Sequence, residues 1–176
     1  MLELHKIITI RGKFMNAYQY AMRMESEAEN FYRDLADGIS DTTIKNVFTM
    51  LADEEVKHFK VFEKMSRNSE LSSIEDMDIS AKVREIFTDI KGCNRKYSFT
   101  DEQVAYYEKA ANIEDNAAKF YREKAEEMTD PAQKEAFLAI AREEKKHQQI
   151  MQNLADFVAA PDSWLESAEF YSLVKE

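Results

Sequence analysis

Cysteine is nearly absent from this chain. Cys93 is the only one in 176 residues, so neither an internal disulfide framework nor a four-cysteine metal site can form. That usage fits a reducing compartment, and a cytoplasmic location is expected. Gly (3) and Pro (2) are almost as scarce, which favours long helices over a turn-rich sheet fold. The N-terminus carries only a short apolar run, Ile7-Ile8, so neither a signal peptide nor a membrane span is expected. Cationic side chains are outnumbered, with 24 Lys and Arg against 34 Asp and Glu, and the net charge is −10. A nucleic-acid partner needs clustered positive charge and is therefore excluded.

What the chain does have is an internal repeat. Glu54-Glu55-Val56-Lys57-His58 returns as Glu143-Glu144-Lys145-Lys146-His147, an offset of 147 − 58 = 89. Tyr18 maps to Tyr107, Glu25 to Glu114, Phe31-Tyr32-Arg33 to Phe120-Tyr121-Arg122, Asp41 to Asp130 and Phe48 to Phe137. The correspondence runs without a gap from Tyr18 to Met65, so one structural unit is used twice.

Apolar spacing places that unit on helices. A first helix is expected over about Lys13 to Asp37, with Phe14, Tyr18, Ala21, Ala28, Tyr32 and Leu35 on one stripe and Glu25 within it. Gly38 is expected to end it through a positive φ. A second helix follows the N-cap Asp41, with Ile44, Phe48, Leu51, Glu55, His58, Phe62 and Met65 in line. About thirty residues then intervene, too many for a hairpin loop of ~2–8 residues. They contain one short helix, Ala81 to Ile90, ended by Gly92, and they let the third helix run parallel to the second. The third helix opens with the capping box Thr100-x-x-Gln103 and carries Tyr107, Ala110, Glu114, Ala117 and Tyr121. The fourth opens with Asp130 as cap and Pro131 at its first position, and carries Phe137, Ile140, Glu144, His147, Met151, Leu154 and Val158. The expected fold is all-α: a four-helix bundle of two helical hairpins with a long crossover, plus a short C-terminal helix. One domain should span 1–176, with halves at about 13–68 and 100–158, a crossover at about 69–99 and a tail at 161–176. The aromatic tail, with Trp164, Phe170 and Tyr171, offers apolar surface, and a homodimer is expected.

Four carboxylates and two imidazoles thus fall on core stripes. Residues at i and i+3 are neighbours on a helix, so Glu55 with His58, and Glu144 with His147, can each serve one centre. Burying four ionised Glu without partners costs several kcal/mol per group. The six positions include no Lys or Arg, whereas two divalent cations balance four carboxylates. Oxygen and imidazole donors suit iron or manganese; zinc prefers four ligands, often with sulfur. The candidate metal ligands are Glu25, Glu55, His58, Glu114, Glu144 and His147. Tyr32 and Tyr121 lie two turns beyond Glu25 and Glu114 on the same face, placed either to hydrogen-bond ligands or to pack as core aromatics. Tyr18 and Tyr107 read as packing residues, as do Phe31 and Phe120. Glu54 and Glu143 read as solvated partners of nearby Lys. His5 lies outside the repeat, and Cys93 sits in the crossover.

With Glu25, Glu55-x-x-His58, Glu114 and Glu144-x-x-His147 in hand, the chain resembles the ferritin-like di-iron carboxylate proteins. It is most similar to their rubrerythrin branch, as Glu25…Phe31-Tyr32 and Phe48…Ala52-Asp53-Glu54-Glu55…His58 also read. The resemblance implies two iron ions per chain, bridged by Glu55 and Glu144, with Glu25, His58, Glu114 and His147 as terminal ligands. It implies redox activity toward peroxide or dioxygen, of peroxidase or ferroxidase type, in answer to oxidative stress. Two features depart from that branch. The single cysteine cannot build a rubredoxin-like site, so an electron donor would be a separate protein. Ala117 stands where rubrerythrins carry an additional Glu. The alternatives are a non-catalytic iron-binding or iron-storage protein, and a helical scaffold with a vestigial site.

Overall fold

The computed structural model describes residues 8–10, 13–67, 79–92 and 97–166. Four main helices pack as two hairpins: α1 (Ala17–Gly38) with α2 (Thr42–Ser66), and α4 (Asp101–Glu127) with α5 (Pro131–Ala159). A shorter helix, α3 (Ser80–Gly92), lies between them in sequence, and α6 (Pro161–Glu166) follows them. Two short strands, β1 (Ile8–Ile10) and β2 (Lys13–Met15), precede α1 and form an antiparallel ribbon pairing Ile8 with Met15, Thr9 with Phe14 and Ile10 with Lys13. His5, Cys93, Phe170 and Tyr171 lie outside the described residues.

The ribbon corrects one expectation. Lys13–Met15 is strand rather than the first turn of a helix, although Phe14 is in phase with the stripe of α1. The β-branched run Ile8-Thr9-Ile10 favours an extended partner strand. Asn16 then starts the helix with a capping box: the Gln19 amide donates to Asn16 Oδ1 (2.8 Å), and the Asn16 amide donates to Gln19 Oε1 (3.1 Å). The far end differs too. Gly38 stays helical without a positive φ, and Ile39 leaves the helix in extended conformation, with φ −106° and ψ 127°. The other caps form where the sequence places them. Asp41 Oδ1 accepts from the Thr43 (2.8 Å) and Ile44 (3.2 Å) amides. Thr100 and Gln103 bond reciprocally (2.9 and 3.3 Å), and Asp130 Oδ1 accepts from the Ala132 amide (2.8 Å).

The chain groups into two compact units: Met1–Met77 with Tyr121–Ile140, and Asp78–Phe120 with Ala141–Glu176. In the first unit Arg33 ties α1 to α2, donating to Asp53 Oδ1 (2.7 Å) and to the Thr49 carbonyl (3.4 Å). The Asp53 bond raises the Arg33 pKa above its ordinary value. Tyr32 stacks on Phe48 with centroids 6.4 Å apart. Phe62 lies 5.0 Å from Tyr121 and 5.1 Å from Phe137, while Tyr18 stacks on Phe137 at 6.0 Å. The Tyr18 hydroxyl donates to Gln133 Oε1 at 2.8 Å, so its polar tip is satisfied inside an apolar cluster. Truncating a fully buried ring such as Phe62 costs about 3–5 kcal/mol, so this cluster holds Tyr121 firmly.

The second unit is centred on Phe157. Tyr97, Phe99 and Trp164 surround it at 5.1, 5.6 and 5.0 Å, and Phe87 of α3 reaches Trp164 at 5.3 Å. The tail tryptophan is therefore half-buried against its own unit. Lys145 of α5 donates to Asp115 Oδ1 of α4 at 3.1 Å, and Lys119 pairs with the other Asp115 oxygen at 2.6 Å. Those two hydrogen bonds, first from Lys119 and then from Lys145, hold the Asp115 carboxyl below its ordinary range.

Candidate metal centre

Each helix of a hairpin contributes at its middle, where fraying is least. In the first unit Glu25 comes from α1, and Glu55 and His58 come from α2. In the second, Glu114 comes from α4, and Glu144 and His147 come from α5. None is more than 2% exposed: Glu25 2%, Glu55 1%, His58 0%, Glu114 1%, Glu144 1% and His147 0%. Each trio offers one ligand atom per residue within 4.8 Å of the others. His58 Nδ1 lies 3.4 Å from Glu55 Oε2 and 3.6 Å from Glu25 Oε2. His147 Nδ1 lies 3.4 Å from Glu144 Oε2.

These separations fit a shared cation. Ligand atoms about 2.1 Å from one ion, subtending roughly 90–110°, stand about 3.0–3.4 Å apart. The charge count points the same way. The buried charged or ionisable polar side chains among the described residues are these six, Glu54 and Lys124. The Lys124 ammonium is bonded to both Glu127 oxygens, at 3.0 and 3.1 Å. Protonating both imidazoles would still set two positive charges against four carboxylates. Two divalent cations with neutral imidazoles balance them fully, and the donor set therefore fits metal. An imidazole ligating through Nδ1 carries its proton on Nε2.

The two tyrosines singled out by spacing are both buried. Tyr121 is fully buried, and its hydroxyl donates to Glu25 Oε1 across 96 residues of sequence. The other oxygen, Glu25 Oε2, is the one that faces His58. Tyr32 is buried too, with Phe48 and Phe31 against its ring at 6.4 and 5.8 Å. Ala21, Ala110 and Ala117 are buried beside the ligand positions, and Ala28 is only half-buried. Phe31, Leu35 and Phe120, expected in the core, are half-buried.

Glu54 was missed. It is buried rather than solvated; Oε1 accepts from Lys57 Nζ at 2.7 Å, and Oε2 is enclosed with no hydrogen-bond partner among the described residues. A signal existed: Glu54 stands seven residues from both Val47 and Val61, so α2 carries a second inward row beside its main stripe. Its counterpart Glu143 pairs with Lys146 at 3.0 Å and is more exposed.

A helical protein with two buried Glu/Glu/His sets, placed by repeat on two helical hairpins, belongs to the di-metal carboxylate class. Comparison with known families specifies it further. The rubrerythrin family model matches residues 16–155. The chain belongs to the rubrerythrin family, and its two clusters are consistent with oxidoreductase activity. No curated protein and no solved structure matches it. Among the described residues no helix is long and apolar enough to cross a membrane.

Proposed function

We propose that the chain is a single-domain di-iron oxidoreductase that reduces peroxide, or reacts with dioxygen, through its buried Glu/Glu/His sets. The observation that carries this reading is the burial of four carboxylates beside two imidazoles, with two divalent cations as the natural charge balance. Glu25, Glu55, His58, Glu114, Glu144 and His147 would hold the ions. Two ferrous ions would supply two electrons and Lewis acidity, the requirement for cleaving an O–O bond.

The protein's part is to exclude water and orient the donors. Phe62 and Phe137 seal the ring of Tyr121, whose hydroxyl fixes Glu25. A carboxylate held by one oxygen presents the other in a defined direction, as outer-shell partners of metal ligands do. Tyr32 takes the corresponding position in the other half of the repeat. Re-reduction comes from a separate electron-donor protein. Two copies of the chain associate; exposed Tyr106 and Ile113, seven residues apart on one face of α4, support that contact.

Anaerobic loading with ferrous ion should stop near two ions per chain, and mixing with one equivalent of peroxide should oxidise both within one turnover. A plateau near zero would refute the metal site. Uptake of hundreds of ions would instead establish storage. Light scattering should give a particle of twice 20.5 kDa; a monomer at micromolar concentration would refute the dimer.

A further inference from the structure

The repeat is not perfect beside the site, and one departure is chemically active. Position 62, one turn after His58, is Phe; its counterpart, 62 + 89 = 151, one turn after His147, is Met. Phe62 packs on Tyr121, whose hydroxyl bonds Glu25, so this position walls the ligand set in the first half. Met151 and His147 are both fully buried on α5, and side chains at i and i+4 lie on one face with Cβ atoms about 5–6 Å apart. A thioether thus stands beside His147 where the repeat has an inert ring.

Resting on the peroxide reading above, we propose that Met151 is an oxidation site for peroxide handled at this centre. The Met151 sulfur attacks one peroxide oxygen; the O–O bond breaks and an S–O bond forms. The thioether loses two electrons, the peroxide gains them, and the second oxygen leaves as water with both protons. The product is a methionine sulfoxide in a core position. A polar group replaces an apolar one there, so oxidation loosens the packing of α5 beside its ligands. Met151 would record peroxide arriving faster than the electron donor can act.

Bulk oxidation ranks methionines by exposure, so half-buried Met24 and Met50 should react before any buried one. Met65 is an internal control: it is as buried as Met151 but lies two turns beyond His58. The experiment loads the protein with iron anaerobically, adds hydrogen peroxide without reductant, and measures peroxide consumed together with methionine oxidation by peptide mass spectrometry. The expected result is one added oxygen on the Met151 peptide ahead of Met24 and Met50, with Met65 unchanged, and no such preference in the metal-free protein. Peroxide consumed with Met151 intact overturns this inference and leaves the peroxide reading standing. No peroxide consumed and no sulfoxide overturns both. Equal Met151 oxidation without metal also overturns it. Met151→Leu, a volume-conserving change, should hold its thermal midpoint through the same exposure while the wild type loses part of its own. An equal drop in both proteins places the damage elsewhere and overturns the inference.

Discussion

Glu144→Gln separates a ligand from a structural side chain, because the two roles predict opposite signs. Glu144 is buried, and one of its carboxylate oxygens lies within 4.8 Å of one from Glu114. Two ionised carboxylates at that distance repel by about 332/(20 × 4.8), or ~3.5 kcal/mol at an effective dielectric of ~20. Protonation in the metal-free protein relieves part of this. The metal-free variant should therefore be between neutral and about 3 kcal/mol more stable than wild type. With metal the sign reverses. Losing one anionic ligand should weaken binding at least ten- to hundredfold, worth about 1.4–2.8 kcal/mol of the stabilisation that metal brings to the native state. The assay is thermal unfolding of both proteins, each metal-free and with saturating ferrous ion, beside the stoichiometry of bound iron. A variant destabilised equally in both conditions, with iron content unchanged, would show that Glu144 is a packing residue and sink the assignment.

Other outcomes are equally concrete. Tyr121→Phe keeps the ring among Phe62 and Phe137 but removes the donor to Glu25; a hydrogen bond to a charged group contributes about 1.5–3 kcal/mol, so the variant should unfold earlier and bind its first metal more weakly. Unchanged metal affinity would remove Tyr121 from the site. Tyr107 has its pKa pushed up from the ordinary 10.0 to about 12 by burial. The folded state favours the neutral phenol, so this stability is fully present below pH 10 and is lost as pH rises through about 12. A rise of that size corresponds to about 2–3 kcal/mol. Tyr107→Phe should flatten the fall in stability between those limits, measured by denaturant unfolding across that range, and an unchanged slope would refute the burial argument.

Much of this protein is readable in its sequence because its elements are local and repeated. Caps at Asp41, Thr100 and Asp130 need only residues within three positions, and all three form. Ile44, Phe48, Leu51, Glu55, His58, Phe62 and Met65 share one helical face by spacing alone, and all seven are buried. The same periodicity misleads where two local signals compete. Phe14 is in phase with α1, yet strand pairing and the Asn16 cap end that phase at Met15. Gly38 suggested a left-handed exit, but Ile39 makes the turn outward without one.

What tertiary structure alone decided is how wide each buried face is and which distant atoms meet. A hydrophobic stripe reports the centre of a buried face and not its edges. Hence Glu54 lies inside while Leu35, Phe31 and Phe120 lie half outside. The Tyr121–Glu25 bond joins residues 96 apart, and Tyr18 meets Gln133 across 115. Helical periodicity places each of these side chains on a face of its own helix. It carries no information about the axial register of one helix against another, which interdigitating rings such as Phe62, Tyr121 and Phe137 set only once the chain has folded.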